Sequence, residues 1–471
     1  MSARVAIAGG GLAGLSCAKA LCEQGYEVEL FEGLPYLGGR ASTFLDDDGD
    51  WVEQGLHLFL GAYTELKGVL ADLKRPPDEV LFWMKEIRFQ DPEGKSATYA
   101  INPLVAPFRT IGSALGQNDY LGPFDKLRLL PIVAPSLANH AILARTFDGM
   151  SVVDWWRRLR GSEAVLERFL RPFCRAIQFT DADEFSAYAF LGLVHNIARD
   201  VPSSLAGGYV GPRDRTIFRP FGRYLHEHGV RIHTGVKLVD VLYRHEERPE
   251  RRRVEGLVLD NGERVDADLY VLAVPVWEVA PLLPSAMKND PFFGSLADLP
   301  VAPAISVQLW FDEPVVDGPH YTLVARSHAC VYQDQSTNAY IHHGSRLSFI
   351  LSPADDLLEL PDEAIVQLTL DSLARVQPRA TAAHLEKYAV LKHTQHLLRP
   401  RPGVLSRRPT QRTPVPNLFF AGDWTQQDFF GSQEGAVRGG LACAQAIFDV
   451  VGAPTERRER RERGGRPEIR S

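Results

Sequence analysis

Four apolar residues, Val5-Ala-Ile-Ala8, run straight into Gly9-Gly10-Gly11-Leu12-Ala13-Gly14. A run so short and apolar, bounded by glycine, predicts a buried strand. Leu15, Ala18, Leu21 and Cys22 then recur on one helical face, and Gly25 stands where that helix ends. Val28-Glu-Leu-Phe31 predicts a second strand, so the opening segment reads as a βαβ unit. Farther on, Arg231 to Val239 and Arg253 to Asp260 alternate like paired strands, joined by the charged stretch Glu246 to Arg253. Asp268 to Pro275 predicts another buried strand. Asn417 to Asp423 predicts a strand ending in Gly-Asp, and Ser432 to Ile447 a helix rich in small residues.

These elements predict an α/β fold: a discontinuous Rossmann-like nucleotide domain over 1–75, 215–285 and 405–452, with an α+β substrate domain over 76–214 and 286–404. The last 17 residues, from Thr455, hold seven Arg and four Glu, so 453–471 reads as a solvated, charged tail.

Composition narrows the function. With 471 residues, 45% hydrophobic and 24% charged, the chain is enzyme-sized and able to bury large cores. A net charge of −7 offers no field for nucleic acid. Five cysteines without a C-x-x-C argue against a disulfide scaffold and a structural metal, and point to a reducing cytoplasm. No apolar run approaches the roughly 18 residues needed to span a bilayer, yet Leu129 to Ala144 is greasy, which leaves peripheral contact open. The sequence assigns no oligomeric state.

The glycines carry the first chemistry. Gly9, Gly11 and Gly14 form G-x-G-x-x-G between strand and helix: a tight turn, a close approach for pyrophosphate, and close packing of helix on strand. Glu32 ends the second strand, where a carboxylate can bond both hydroxyls of an adenosine ribose. A nicotinamide-binding domain has no evident need for the following Leu37-Gly38-Gly39-Arg40, and a longer, flavin-bearing dinucleotide accounts for it better.

Taken together, Val5 to Gly14, Gly38-Gly-Arg40, Glu53-Gln-Gly-Leu-His-Leu-Phe-Leu-Gly-Ala-Tyr63, Asp154-Trp-Trp156 and Phe420 to Ala436 resemble FAD-dependent desaturases and oxidases of the amine oxidase superfamily. Within it the chain is most similar to the plant-type phytoene and zeta-carotene desaturases. The resemblance implies that Gly9, Gly11, Leu12, Ala13, Gly14, Glu32, Gly39 and Arg40 hold the adenosine and pyrophosphate of a non-covalent FAD. It implies that Leu56 and His57 line the flavin, and that the Val236 backbone touches adenine. Gly422 and Asp423 would face the ribityl chain, and Gln433 and Glu434 the isoalloxazine. Trp424 and Gln433 depart from the Tyr and Met common in the family.

The implied reaction removes hydride and proton from a long isoprenoid and passes electrons to a quinone or another acceptor. A delocalised cation lessens the need for a strong base, so His57 and Glu434 are only the nearest ionisable candidates. His57 could instead simply pack the flavin, and Glu434 cap its helix. Dehydroxylation of a squalene precursor, isomerisation, ring desaturation and amine oxidation are the alternatives. A lipid-soluble substrate implies a cytoplasmic, peripherally membrane-bound enzyme. The expected apolar lip comprises Leu104, Val105, Phe108, Leu129, Leu130, Ile132 and Val133, with Arg109, Lys126 and Arg128 near headgroups.

Overall fold

The structure is a computed structural model that describes residues 3–101, 120–129, 132 and 139–452. The chain forms two compact units. The first comprises Met1–Ser42, Ile217–Asp298 and Arg408–Ser471, and the second Thr43–Thr216 and Leu299–Arg407.

The core of the first unit is a five-stranded sheet. In chain order its elements are β1 (Arg4–Ala8), α1 (Leu12–Glu23), β2 (Glu27–Glu32), β3 (Arg231–Thr234), β4 (Leu269–Leu272), β5 (Leu418–Phe420) and the closing helix α2 (Gln433–Val451). The strands lie in the order β3-β2-β1-β4-β5 with every pairing parallel. Strand order turns back between β1 and β4, so the glycine loop after β1 opens at a switch point, where open α/β sheets bind their ligands. β4 is buried throughout, as expected for a central parallel strand, and the edge strand β5 is buried as well.

Helices α1 and α2 come unusually close. A Cβ added at Gly440 of α2 would stand 2.2 Å from the Ala13 oxygen, so only glycine permits this crossing. The small residues of the last helix therefore serve helix packing.

One pairing differs from the sequence expectation. Residues 231–239 do not form a single strand: β3 ends at Thr234, Gly235 takes φ +74°, and the Val236 N–H donates to the Glu32 carbonyl. The antiparallel ribbon is instead Leu238–Arg244 against Arg253–Leu259.

The second unit is built on a seven-stranded mixed sheet, from Leu385–Leu398 at one edge through Val301–Phe311, Arg346–Leu351, Ala329–Asp334, Thr322–Val324 and Glu86–Gln90 to Ser96–Ala100. A large apolar core joins it to helices carrying Trp155, Trp156, Leu166, Leu170 and Phe190. Asp154-Trp155-Trp156 belongs to that core: the Ser151 hydroxyl caps the helix and bonds Asp154, and both indoles are buried.

The unit boundary falls at Ser42, whereas the sequence reading carried the nucleotide domain to 75. The reason is pairing. Thr43–Leu45 pairs with Trp51–Glu53, and Glu53 is gripped by Gln308, Arg213, Gln335 and Tyr340, all of the second unit. At the other crossings the first unit resumes at Ile217, runs to Asp298 and resumes again at Arg408, against expectations of 215, 285 and 405.

Candidate cofactor site

The glycine loop is shaped by its own backbone. Gly9 has φ +113°, a conformation that side chains disfavour, and its N–H donates to the Phe31 carbonyl at 2.8 Å. A Cβ on Gly14 would lie 1.9 Å from the Gly9 oxygen, so the first turn of α1 can fold over the loop only with glycine there.

Gly11 differs: an added Cβ would meet nothing nearer than Gly39 Cα at 4.0 Å. Gly11 thus faces an open cradle whose far wall is Gly38-Gly39, tied back by the Gly38 N–H to the Gly10 oxygen at 2.9 Å. Gly11 is also the N-cap of α1, which has no side-chain cap and no acidic residue in its first turn. A helix start leaves its first N–H groups without helical partners and carries partial positive charge. A backbone cradle, N–H donors and no resident anion together fit a pyrophosphate, with Leu12, Ala13 and Gly14 supplying the turn.

Glu32 closes one side. Its carboxylate is buried and accepts the Gly10 N–H at 2.6 Å and the Leu34 N–H at 2.8 Å. Burial raises its pKa, more than those two N–H groups lower it, and Glu278 pushes in the same direction as burial. Such a group gains from hydroxyl donors, which fits an adenosine ribose. On the opposite side, Arg40 and Asp423 form an ion pair at 2.5 Å, and the Arg40 guanidinium lies over the Trp277 ring at 5.6 Å from its centroid. Asp423 is buried and Arg40 partly exposed.

Asp423 belongs to a loop that is locked at many points. Gln427 Nε2 donates to the Asp423 carbonyl at 2.9 Å, and Arg408 donates to the carbonyls of Thr425 and Gln427. Gln411 bonds Thr425 and Gln426. The Thr425-Gln426-Gln427 run is thus the internal lock of the loop that presents Asp423.

α2 starts at the end of this loop. The Ser432 hydroxyl accepts the Gly435 N–H at 3.0 Å and is the cap, so Glu434 is not. Glu434 is fully buried and receives the Arg438 guanidinium at 2.8 Å, and Gln433 is buried beside it. Trp424 is buried too. Its indole N–H donates to the Val274 carbonyl at 3.1 Å and its ring packs against Phe420. Trp424 is therefore a core residue. A Cβ at Gly422 would strike that indole at 2.3 Å, which accounts for the glycine before Asp423.

The first unit therefore brings together Gly9, Gly11, Leu12, Ala13, Gly14, Glu32, Gly39, Arg40, Val236, Gly422, Asp423, Gln433 and Glu434. Leu56 and His57 belong to the second unit. There Leu56 packs on the large apolar core, and His57 Nδ1 lies 2.6 Å from the Gly55 carbonyl. What sequence reasoning missed is the buried set that holds this turn: Glu53, Arg213, Gln335 and Tyr340. Arg213, Gln335 and Tyr340 lie 160 to 287 positions from Glu53, so no local pattern joins them to it.

This geometry agrees with kinship. The chain matches the flavin containing amine oxidoreductases over residues 12–448 and belongs to that family. It adopts their fold: an oxidoreductase from Methanosarcina mazei superposes with a TM-score of 0.73, at 18% identity, over 95% of this chain and 100% of that one. The chain is 30% identical to 15-cis-phytoene desaturase of Synechococcus elongatus over 94% of its own length and 96% of the relative's. It is also 30% identical to zeta-carotene desaturase of Synechocystis, covering 94% and 97%. Within the family it belongs with the carotenoid desaturases, and its cofactor is FAD.

Proposed function

We propose that this protein desaturates a long apolar isoprenoid of the phytoene or zeta-carotene type. Kinship along nearly the whole chain with two carotenoid desaturases carries this reading. FAD held there would supply hydride-accepting chemistry, with a quinone or comparable molecule as the proposed final acceptor. The chain's own residues bind and orient. Gly9 to Gly14, Glu32, Gly39 and Arg40 hold adenosine and pyrophosphate, Val236 reaches the adenine, and Gly422 and Asp423 hold the ribityl side. Gln433 and Glu434 border the isoalloxazine. Glu434 is engaged by Arg438 and His57 by the Gly55 carbonyl, so neither is put forward as the base.

The interior of the second unit suits an apolar substrate. Phe89, Phe169, Phe173, Phe190 and Trp155 form a continuous aromatic series with centroid separations of 5.3 to 6.1 Å. A substrate with almost no polar groups is recognised by such area alone.

Membrane contact is the second part of the proposal, and of the expected lip only part falls on described residues. Leu104, Val105, Phe108, Arg109, Leu130 and Val133 lie outside the described residues, as does the tail from Thr455. Ile132 is a core residue, 6% exposed, because it packs into the large apolar cluster, and Leu129 is half-buried against it. The exposed apolar residues nearby are Phe124 and Leu127, at 80% and 62%, with Lys126 and Arg128 interleaved. Aromatic and aliphatic side chains beside cations suit the headgroup boundary. No helix among the described residues is long and apolar enough to cross a membrane.

Expression beside a pathway that makes 15-cis-phytoene tests the reaction. Phytoene should fall as products with longer conjugation, absorbing nearer the visible, accumulate. Flavin-loaded protein that leaves phytoene untouched overturns the reading. Replacing Phe124 and Leu127 with Ser should lower co-sedimentation with anionic liposomes at unchanged flavin content, and unchanged sedimentation removes this patch from the proposal.

A further inference from the structure

Successive side chains of a strand point to opposite faces. In the loop that precedes Arg346–Leu351, His342 and His343 instead turn the same way: their ring centroids are 4.5 Å apart, and both rings reach Glu386, the second residue of Leu385–Leu398. His342 Nε2 stands 3.6 Å from Glu386 Oε2, and His343 Nε2 stands 3.5 Å from Glu386 Oε1. One donor atom from each of the three residues falls within a span of 4.8 Å.

These separations decide between two readings. An N–H···O hydrogen bond holds its heavy atoms at about 2.7–3.2 Å, so the carboxylate is properly bonded to neither imidazole. Nitrogen and oxygen atoms bound tetrahedrally to one zinc ion, each about 2.0–2.1 Å from it, stand roughly 3.3–3.4 Å from one another. The cluster has the spacing of groups that share an ion. Its charge agrees. Glu386 is anionic, and Asp312, which accepts the His384 N–H at 2.9 Å, adds a second carboxylate on the neighbouring chain. Lys387, the cation next in sequence, is held by Asp46, Asp48 and Asp50 at 2.7 to 2.8 Å.

The loop is fixed by its own bonds. The Gln335 N–H donates to the Arg346 carbonyl at 2.8 Å, the Tyr340 N–H to the Gln335 carbonyl at 2.8 Å, and the Ser345 hydroxyl to Asp334 at 2.8 Å. A Cβ at Gly344 would stand 2.0 Å from the Phe311 oxygen, so only glycine lets the loop pass there. His342 Nε2 lies 2.9 Å from that same oxygen, a bond that needs a proton on Nε2. When this nitrogen takes an ion, the single proton of the neutral ring moves to Nδ1.

We propose that His342, His343 and Glu386 form a zinc site, open to solvent at the exposed His343, which ties the loop 335–345 to the start of Leu385–Leu398. Imidazole and carboxylate together suit zinc, whereas calcium and magnesium take oxygen ligands. The cysteine spacing argues only against thiolate sites, and this donor set has none. The same loop carries Gln335 and Tyr340, which grip Glu53, so the ion adds order to the second unit and takes no part in the proposed reaction.

The test uses tag-free, flavin-loaded protein stripped with a chelator and dialysed. It is titrated with zinc chloride by calorimetry, and thermal unfolding is followed with zinc, calcium or magnesium. One zinc per chain should bind, and Tm should rise by roughly 2–5 °C when free zinc is about 100-fold above Kd. Calcium and magnesium should leave Tm unchanged. His343→Ala and Glu386→Gln each remove a ligand from an exposed position, so both should keep the wild-type flavin content and zinc-free Tm. Their zinc affinity should fall by more than the about 10- to 100-fold lost with an outer-shell partner. Wild type that binds no zinc overturns the proposal. So do variants that bind zinc as wild type does, which would put the ion on other histidines. An equal rise in Tm with calcium overturns it too, because the donors would then be carboxylates alone.

Discussion

Glu32 and Glu53 are both buried carboxylates, and they are treated in opposite ways. Glu53 in the second unit is fully satisfied by a guanidinium, a hydroxyl and an amide, drawn from segments far apart in sequence. Glu32 in the first unit is held by backbone N–H groups, of Gly10 and Leu34 above all, and burial pushes its pKa up. A carboxylate paired on every side contributes order to the fold. One that is buried with backbone donors alone retains binding capacity for a ligand, at some cost to the empty protein. The same contrast runs through both regions, since the cradle is made of absent side chains and the knot around Glu53 of interlocking ones.

The contrast breaks most visibly if the knot is cut. Glu53→Ala leaves the Arg213 charge without its carboxylate at 1% exposure, and truncating one partner of a buried pair costs about 3–5 kcal/mol. A large fall in Tm and in soluble yield is expected, measured by thermal unfolding. Unaltered Tm would mean that the pair is not the anchor of its unit. Gly11→Val addresses the cradle. Its side chain enters space bounded only by Gly39, so the fold should survive while FAD affinity falls at least ~100-fold, about 2.8 kcal/mol. Gly14→Ala is the control, because its methyl meets backbone at 1.9 Å and should damage folding and binding together. If Gly11→Val binds FAD as wild type does, the pyrophosphate lies elsewhere.

The difference between the regions also governs what could be read without a structure. Gly9 to Gly14 and Glu32 are close in sequence, and glycine spacing carries its own steric reason, so strand, loop, helix and acid were all legible. Helix α2 was legible through its small residues. The resemblance pointed to His57 but not to Arg213, which sits in Pro212-Arg-Asp-Arg215, a charged run that reads as a solvated turn. The extent of the first unit was misjudged at 43–75 because pairing with Trp51–Glu53 and the grip on Glu53 are long-range events. Likewise Ile132 reads as an exposed apolar residue in sequence and is core in three dimensions.

Asp423→Ala sharpens the comparison at intermediate size. Asp423 is buried but its partner Arg40 is partly exposed, so the freed guanidinium can turn to water. Stability of the FAD-free protein should change little. FAD should bind more weakly by about 1.5–3 kcal/mol, the value of a hydrogen bond to a charged group, or roughly 10- to 150-fold by fluorescence titration. Unchanged affinity would reduce Asp423 to a loop residue held by Gln427.

The smallest effect is the most specific to Glu32. A carboxyl whose folded pKa is raised contributes stability that is complete below its unfolded pKa and is lost as pH climbs through the folded value. Glu32 starts from an ordinary value of 4.5 and is raised by burial, so FAD-free wild type should lose stability as pH rises from about that point. Glu32→Gln does not titrate, and the difference in Tm between the two proteins should therefore drift against wild type over this window and then level off. Bound ribose hydroxyls favour the charged carboxylate, so FAD affinity should move the other way, tightening with pH in wild type and staying flat in the variant. Parallel Tm curves for the two FAD-free proteins, from pH 4.5 to 8, would show that Glu32 is as fully satisfied as Glu53. The distinction between the two carboxylates would then fail.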